Sequence, residues 1–185
     1  MKKTGHVLVA SASGTVMLNG KTLEFGSRGS ALLVDIYRRC VGDYPKFFKM
    51  DPLSRLGFVA SELLLGEEKP RKQDCEDRAV VLFNRSASLA DDLLYQETIQ
   101  DPGNYYPSPA VFVYTLPNIV TGEIAIRNKY YGETAFYVFE DNDEEAFMAI
   151  VEQLFQDGTT TSTICGRVEC EDAETFEAEL FIVEK

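Results

Sequence analysis

Ser108-Pro109-Ala110-Val111-Phe112-Val113-Tyr114-Thr115-Leu116-Pro117-Asn118-Ile119-Val120-Thr121-Gly122-Glu123-Ile124-Ala125-Ile126 is the stretch on which the reading of this chain turns. Pro109 to Thr115 predicts an extended or irregular segment. Pro117 predicts the start of a helix that runs to about Tyr130, and Gly132 breaks it. The chain continues Gly132-Glu133-Thr134-Ala135-Phe136-Tyr137-Val138-Phe139-Glu140-Asp141-Asn142-Asp143. Ala135 to Phe139 is aromatic and β-branched, which predicts a strand. Asp141 to Glu145 has the composition of a helix N-terminus, where acids and amides cap free N–H groups and meet the favourable end of the helix dipole. Ala146, Phe147, Ile150, Val151, Leu154 and Phe155 then fall at helical spacing, and Gly158 terminates the run.

Working outward, His6 to Ala10 predicts a first strand. Val16-Met17-Leu18 and Thr22-Leu23 predict a hairpin, because Asn19-Gly20 accepts positive φ at both turn positions. Ala31 to Cys40 has helical spacing. Asp51-Pro52 reads as an N-cap followed by proline at the first helical position, ahead of the stripe Leu53, Leu56, Val59, Ala60, Leu63 and Leu64. Gly66 ends that helix. Ala79 to Phe83 predicts a buried strand, Asp91 to Ile99 a short helix or turn-rich segment, and Asp101 to Asn104 a loop. Thr159 to Val168 and Phe176 to Val183 predict a closing antiparallel pair. Strands and helices in this order predict an α/β domain, a mixed sheet with helices packed on it.

The 185 residues carry a net charge of −12 with 45% apolar content. That length accommodates one domain with a full core. The charge excludes non-specific nucleic-acid binding and disfavours anionic membrane surfaces. No apolar run reaches spanning length. The N-terminus has no signal-peptide pattern, and a cytoplasmic location is expected. Cys40, Cys75, Cys165 and Cys170 form no C-x-x-C pair, and His6 is the only histidine. Free thiols are therefore expected and a Cys/His metal site is not. Arg38, Arg39, Lys46 and Lys49 read as a solvated face. Asp141, Asp143, Glu144 and Glu145 lack the glycine of a calcium loop and read as a helix cap. Asp91, Asp92 and Glu97 have no partner motif, and Arg85-Ser86-Ala87-Ser88 reads as a strand-to-loop turn.

The Ser108-to-Ile126 stretch resembles the segment of β-ketoacyl-acyl-carrier-protein synthases that leads into their nucleophilic cysteine. Phe48 to Leu56 is similar to the segment before the first long helix of that family. Val80 to Ser88 is similar to its second strand and small-residue loop. Ile164-Cys165-Gly166-Arg167-Val168-Glu169 resembles its strand ending in Gly-Gly-x-Glu. The four matches occur in family order. The resemblance implies that residues 1–185 form one thiolase-like half domain of the N-terminal type. The family's second half, which supplies two histidines or a His/Asn pair, has no counterpart in them.

By the same resemblance the family cysteine falls near Glu140, Asp141 and Asn142. A carboxylate cannot replace a thiolate in acyl transfer and raises the pKa of a neighbouring thiol. The expectation is a non-catalytic ketosynthase-like accessory or interaction protein, without cofactor, in fatty-acid, polyketide or aryl-polyene-type biosynthesis. The alternatives are an acyl-thioester transferase or 3-oxoacyl-carrier synthase, and an acyl- or carrier-binding module. The expected partner is a second copy or a complete ketosynthase, with an acyl carrier protein as a further candidate. In the family the strand matching Ala135 to Phe139 pairs across a two-fold axis, which places Phe136 and Val138 at an interface. Ser108, Pro117 and Asn118 are assigned structural roles beside it. A lone half would expose the apolar face of the helix carrying Phe147 and Val151.

Overall fold

A computed structural model describes residues 1–103, 105–141 and 143–185. The chain opens with strand β1 (Lys2–Ala10), then β2 (Thr15–Leu18) and β3 (Lys21–Thr22). The hairpin between β2 and β3 turns at Asn19 and Gly20, whose φ values of 49° and 78° are both positive, as the dipeptide predicts. Helix α1 (Ser30–Ile36) continues into a π-helical turn over Tyr37–Val41. A 3-10 turn (Pro45–Lys49) precedes α2 (Pro52–Leu64), which starts as expected: the Asp51 carboxylate accepts the Ser54 N–H at 3.2 Å. Then come β4 (Arg78–Asn84), α3 (Leu89–Glu97), α4 (Pro109–Phe112), α5 (Ile119–Asn128), β5 (Thr134–Val138), α6 (Glu144–Leu154), β6 (Ser162–Cys170) and β7 (Phe176–Glu184).

All seven strands join one mixed sheet in the order β3-β2-β1-β7-β6-β4-β5. β4 runs parallel to both β5 and β6, and the remaining pairs are antiparallel. The strands around Val7, Val81, Phe136 and Ile164 thus share a sheet, as read from the sequence. β4 is buried along nearly its whole length because the sheet is covered on both faces. Val80 and Leu82 turn towards the core formed with α1, α2 and α5. Ala79, Val81 and Phe83 turn the other way, onto Phe147, Val151, Leu154 and Phe155 of α6 and its end. Gly132 sits where the chain enters β5 tight against β4. A Cβ there would lie 2.3 Å from the Arg78 carbonyl oxygen, so only glycine fits.

Four expectations are corrected. The apolar face of α6 is not exposed: Phe147 and Val151 are fully buried against the sheet. Pro109–Thr115 is not extended but helical, as α4 followed by a 3-10 turn over Val113–Thr115. The Ser108 side chain caps it, accepting the Val111 N–H at 3.4 Å with Pro109 in the first turn, which is the signal also seen at Asp51-Pro52. Pro117 lies in the turn before α5, and the helix starts at Ile119. Asn118 takes the cap position of α5 without a side-chain hydrogen bond, and its side chain is exposed, so it does not brace that corner.

Candidate functional site

β4, β5 and β6 are parallel to one another and end together at Asn84, Val138 and Cys170. Loops at such strand ends are where α/β sheets place their sites. Here the β4–α3 loop is held by its own side chains. The Asn84 amide donates to the Ala87 carbonyl at 2.9 Å and accepts the Ala87 N–H at 2.8 Å. This locks Ala87 at φ 51°, a left-handed position that alanine rarely takes. Glu169, at the end of β6, accepts the N–H groups of Arg85 (2.9 Å) and Ser86 (3.2 Å) and the Ser86 hydroxyl. The Ser88 hydroxyl donates to the Thr115 carbonyl at 2.6 Å, tying the loop to the turn after α4. The Ser86 hydroxyl is therefore bound to a carboxylate and has no imidazole beside it. His6 lies on β1, bonds Glu179 at 2.9 Å and stacks on Phe181.

The positions that the sequence resemblance assigns to the family nucleophile follow β5. Glu140 and Asp141 are exposed carboxylates, and Asn142 lies outside the described residues. Asp143 caps α6, accepting the Ala146 N–H at 2.8 Å. No thiol is available to this rim. Cys165 and Cys170 are buried, and burial pushes each up to about 12. For Cys170 the carboxylates of Asp51 and Asp91 add to the effect. Both cysteines behave as small apolar core residues.

A pairing absent from the sequence analysis lies just behind the loop. Asp91, only 4% exposed, faces Asp51, which is 8% exposed. Asp51 Oδ1 is buried and has no donor among the described residues. Burial, then the neighbouring Asp51 charge, pushes Asp91 up to about 8. Burial raises Asp51 as well. One proton held between the two carboxyls supplies the missing donor. Asp91, Asp92 and Glu97 do not act together: Asp92 and Glu97 point into solvent.

Beyond this rim, helix α3 turns its polar residue inwards. Asp91 is its sole buried residue, while Leu89, Leu93 and Leu94 are about half exposed. Phe112, Val113 and Leu116 on the packed α4 segment are similarly exposed, with the Tyr95 and Phe112 rings in tilted contact, centroids 5.3 Å apart. β5 is the last strand at one edge of the sheet. Val80 N–H bonds the Glu133 carbonyl and Phe139 N–H bonds the Asn84 carbonyl. In a parallel ladder of that register residues 133, 135, 137 and 139 serve β4, so Thr134, Phe136 and Val138 turn their backbone groups to the free edge. Val138 is 52% exposed; Phe136 leans onto the main core. A different feature, a cleft of about 580 Å3, opens at the opposite end of β4 and β6. Its Arg78 is occupied by Glu68 (2.6 Å) and Ser162 (2.9 Å). No single helix among the described residues is long and apolar enough to cross a membrane.

No family model and no curated protein matches the chain. Solved structures do. The ishigamide ketosynthase/chain length factor superposes with a TM-score of 0.71 at 17% identity, over 99% of this chain and 61% of its own. The fold is the thiolase-like one of ketosynthases and chain length factors. The ketosynthase ApeO in complex with its chain length factor ApeC, from Xenorhabdus doucetiae, gives a TM-score of 0.70 at 15% identity, covering 100% of this chain and 78% of that one. A type II PKS acyl-carrier protein in complex with its ketosynthase bound to the hexaketide gives 0.60 at 14% identity, covering 100% and 63%. The chain thus spans about three fifths of the length of the first of these.

Proposed function

We propose that this chain is a non-catalytic, ketosynthase-like subunit of the cytoplasm that pairs with a complete ketosynthase in polyketide, aryl-polyene-type or fatty-acid biosynthesis. The observation that carries the reading is the rim described above. On a ketosynthase-type fold, the positions that the resemblance assigns to the nucleophile hold Glu140 and Asp141, exposed and beside a helix already capped by Asp143. A thiolate nucleophile depends on a helix N-terminus free to stabilise it. The buried thiols are pushed away from ionisation, and Ser86 is tied to Glu169.

What remains at this end of the molecule is suited to contact. It has a strand edge with free backbone groups and a helix with its leucines turned outwards. That the neighbours include a ketosynthase in complex with its chain length factor supports pairing as the role of such a fold.

The test is reconstitution. The chain alone is expected to yield no condensation product from acyl- and malonyl-carrier substrates. Co-expressed with a complete ketosynthase of its own pathway, it is expected to co-purify and to change the yield or length of that enzyme's product. Condensation by the purified chain, abolished by one point mutation, would overturn the reading.

A further inference from the structure

The chain between β4 and α5 is joined to the rest of the molecule by unusually little. From Arg85 to Ile119 no apolar residue belongs to either core cluster or packs against one. Ser88 and Asp91 are the only buried side chains there among the described residues. The segment is held together internally: the Ser88 hydroxyl donates to the Thr115 carbonyl at 2.6 Å, and the Tyr95 ring meets the Phe112 ring. Among the described residues, the other hydrogen bonds made between Ser88 and Leu116 all end between Ser86 and Ile119. No ion pair starts in the segment either. One polar contact therefore fastens α3 to the body of the fold, the Asp91 carboxyl against Asp51 at the start of α2. Both are buried, neither has a cation at ion-pair distance among the described residues, and Asp51 Oδ1 has no donor there. Two buried carboxylates repel; one proton between them turns the repulsion into a hydrogen bond.

We propose that α3 and the α4 segment packed on it form a flap held shut by the single proton shared between Asp91 and Asp51, and that loss of this proton releases the flap and uncovers Cys170. The proposal does not depend on the subunit reading. Cys170, only 3% exposed, lies close enough to feel both carboxylates. Asp92 on α3 and Tyr114 beyond α4 are the other ionisable groups facing the pair. Burial, then the Asp51 charge, pushes Asp91 up to about 8 while the flap is shut, against an ordinary value of 3.8 that water restores when it opens. The shut form thus binds the proton more tightly. Closure is strongest below about pH 4, weakens as pH rises, and has lost this support above about pH 8. Neither apolar core includes flap residues, so both remain packed when the flap leaves.

The test is amide hydrogen exchange on the full chain, corrected for the intrinsic exchange rate at each pH. In the wild type the α3 amides should be less protected than those of β4 and β6 at every pH, because the flap opens without the sheet. Their protection should fall ~10-fold between about pH 6 and about pH 8. In Asp91→Asn, whose amide donates to Asp51 without titrating, α3 protection should stay level over the same range. Alkylation of Cys170 at about pH 8 should be ~10-fold slower in that variant than in the wild type. Charge alone predicts the reverse, since removing a neighbouring carboxylate makes the thiol easier to ionise. The wild-type measurements decide the matter even if the variant does not fold. Exchange of α3 in step with β4 and β6, or α3 protection that ignores pH, would overturn the proposal. So would a variant that opens with pH as the wild type does, or one whose Cys170 reacts as fast or faster.

Discussion

Replacing Asp91 with asparagine should flatten the pH dependence of stability. An aspartate of ordinary pKa 3.8 in the unfolded chain is pushed up to about 8 in the fold by burial and by Asp51. The fold therefore binds this proton more tightly than the unfolded chain does. The stabilisation is complete below about pH 4, declines as pH rises, and is gone above about pH 8. Each pH unit in that window carries about 1.4 kcal/mol, so the ceiling is ~6 kcal/mol; local relaxation and water entry around the pair reduce the expected fall to ~2–3 kcal/mol. The charged and ionisable side chains around the pair are Asp92 on α3, Cys170 on β6 and Tyr114 beyond α4. Asp43 works with the opposite sign: its hydrogen bonds from Lys72 and Arg127 lower it to about 2, so its contribution is lost between about pH 4 and 2. The two trends separate above about pH 5. In Asp91→Asn the amide can donate to Asp51 at every pH. Urea denaturation of both proteins from about pH 5 to 9 should show the wild type losing stability while the variant holds level, ending ~2 kcal/mol more stable at the alkaline end. Parallel curves would refute the shared proton.

Glu169→Ala removes a carboxylate that accepts two backbone N–H groups and a hydroxyl, and should cost ~2–4 kcal/mol in chemical denaturation, with Glu169→Gln recovering part of it. Gly132→Ala drives a Cβ into the Arg78 carbonyl and should cost ~2 kcal/mol or more, read as a lowered Tm. Val138→Pro removes an N–H that faces the free edge, not β4, so the isolated chain should change by less than ~1 kcal/mol while partner binding in a pull-down titration weakens.

The parts of the fold legible in the sequence are those specified locally. Asn19-Gly20, Asp51-Pro52 and the unbroken apolar run of β4 each carry their structure in a few adjacent residues. The Pro109–Thr115 segment reads as extended because it is rich in valine and aromatics, yet Ser108-Pro109 is a helix start of the same kind as Asp51-Pro52, and the cap outweighs the weak strand preference. The inward face of α6 depends on a sheet assembled from distant strands, which periodicity alone does not place. At the candidate site the exposed acids after β5 are visible at once. The Asp51–Asp91 pair is not, since its members lie on different helices and neither sits in a motif. The outward facing of the α3 leucines follows from tertiary packing in the same way, with Asp91 turned inwards.

A helix start can stabilise only so much negative charge, and the start of α6 already holds its own. The Asp143 carboxylate accepts the Ala146 N–H there, with Glu144 and Glu145 in the first turn. A cysteine placed at position 140 or 141 would meet carboxylates in the place where a reactive thiol needs positive potential, and its proton would be harder to remove than in water. A reactive thiol there would require several acids to be replaced together, each replacement weakening the helix start. The local electrostatics at this helix start therefore disfavour a thiolate at either position.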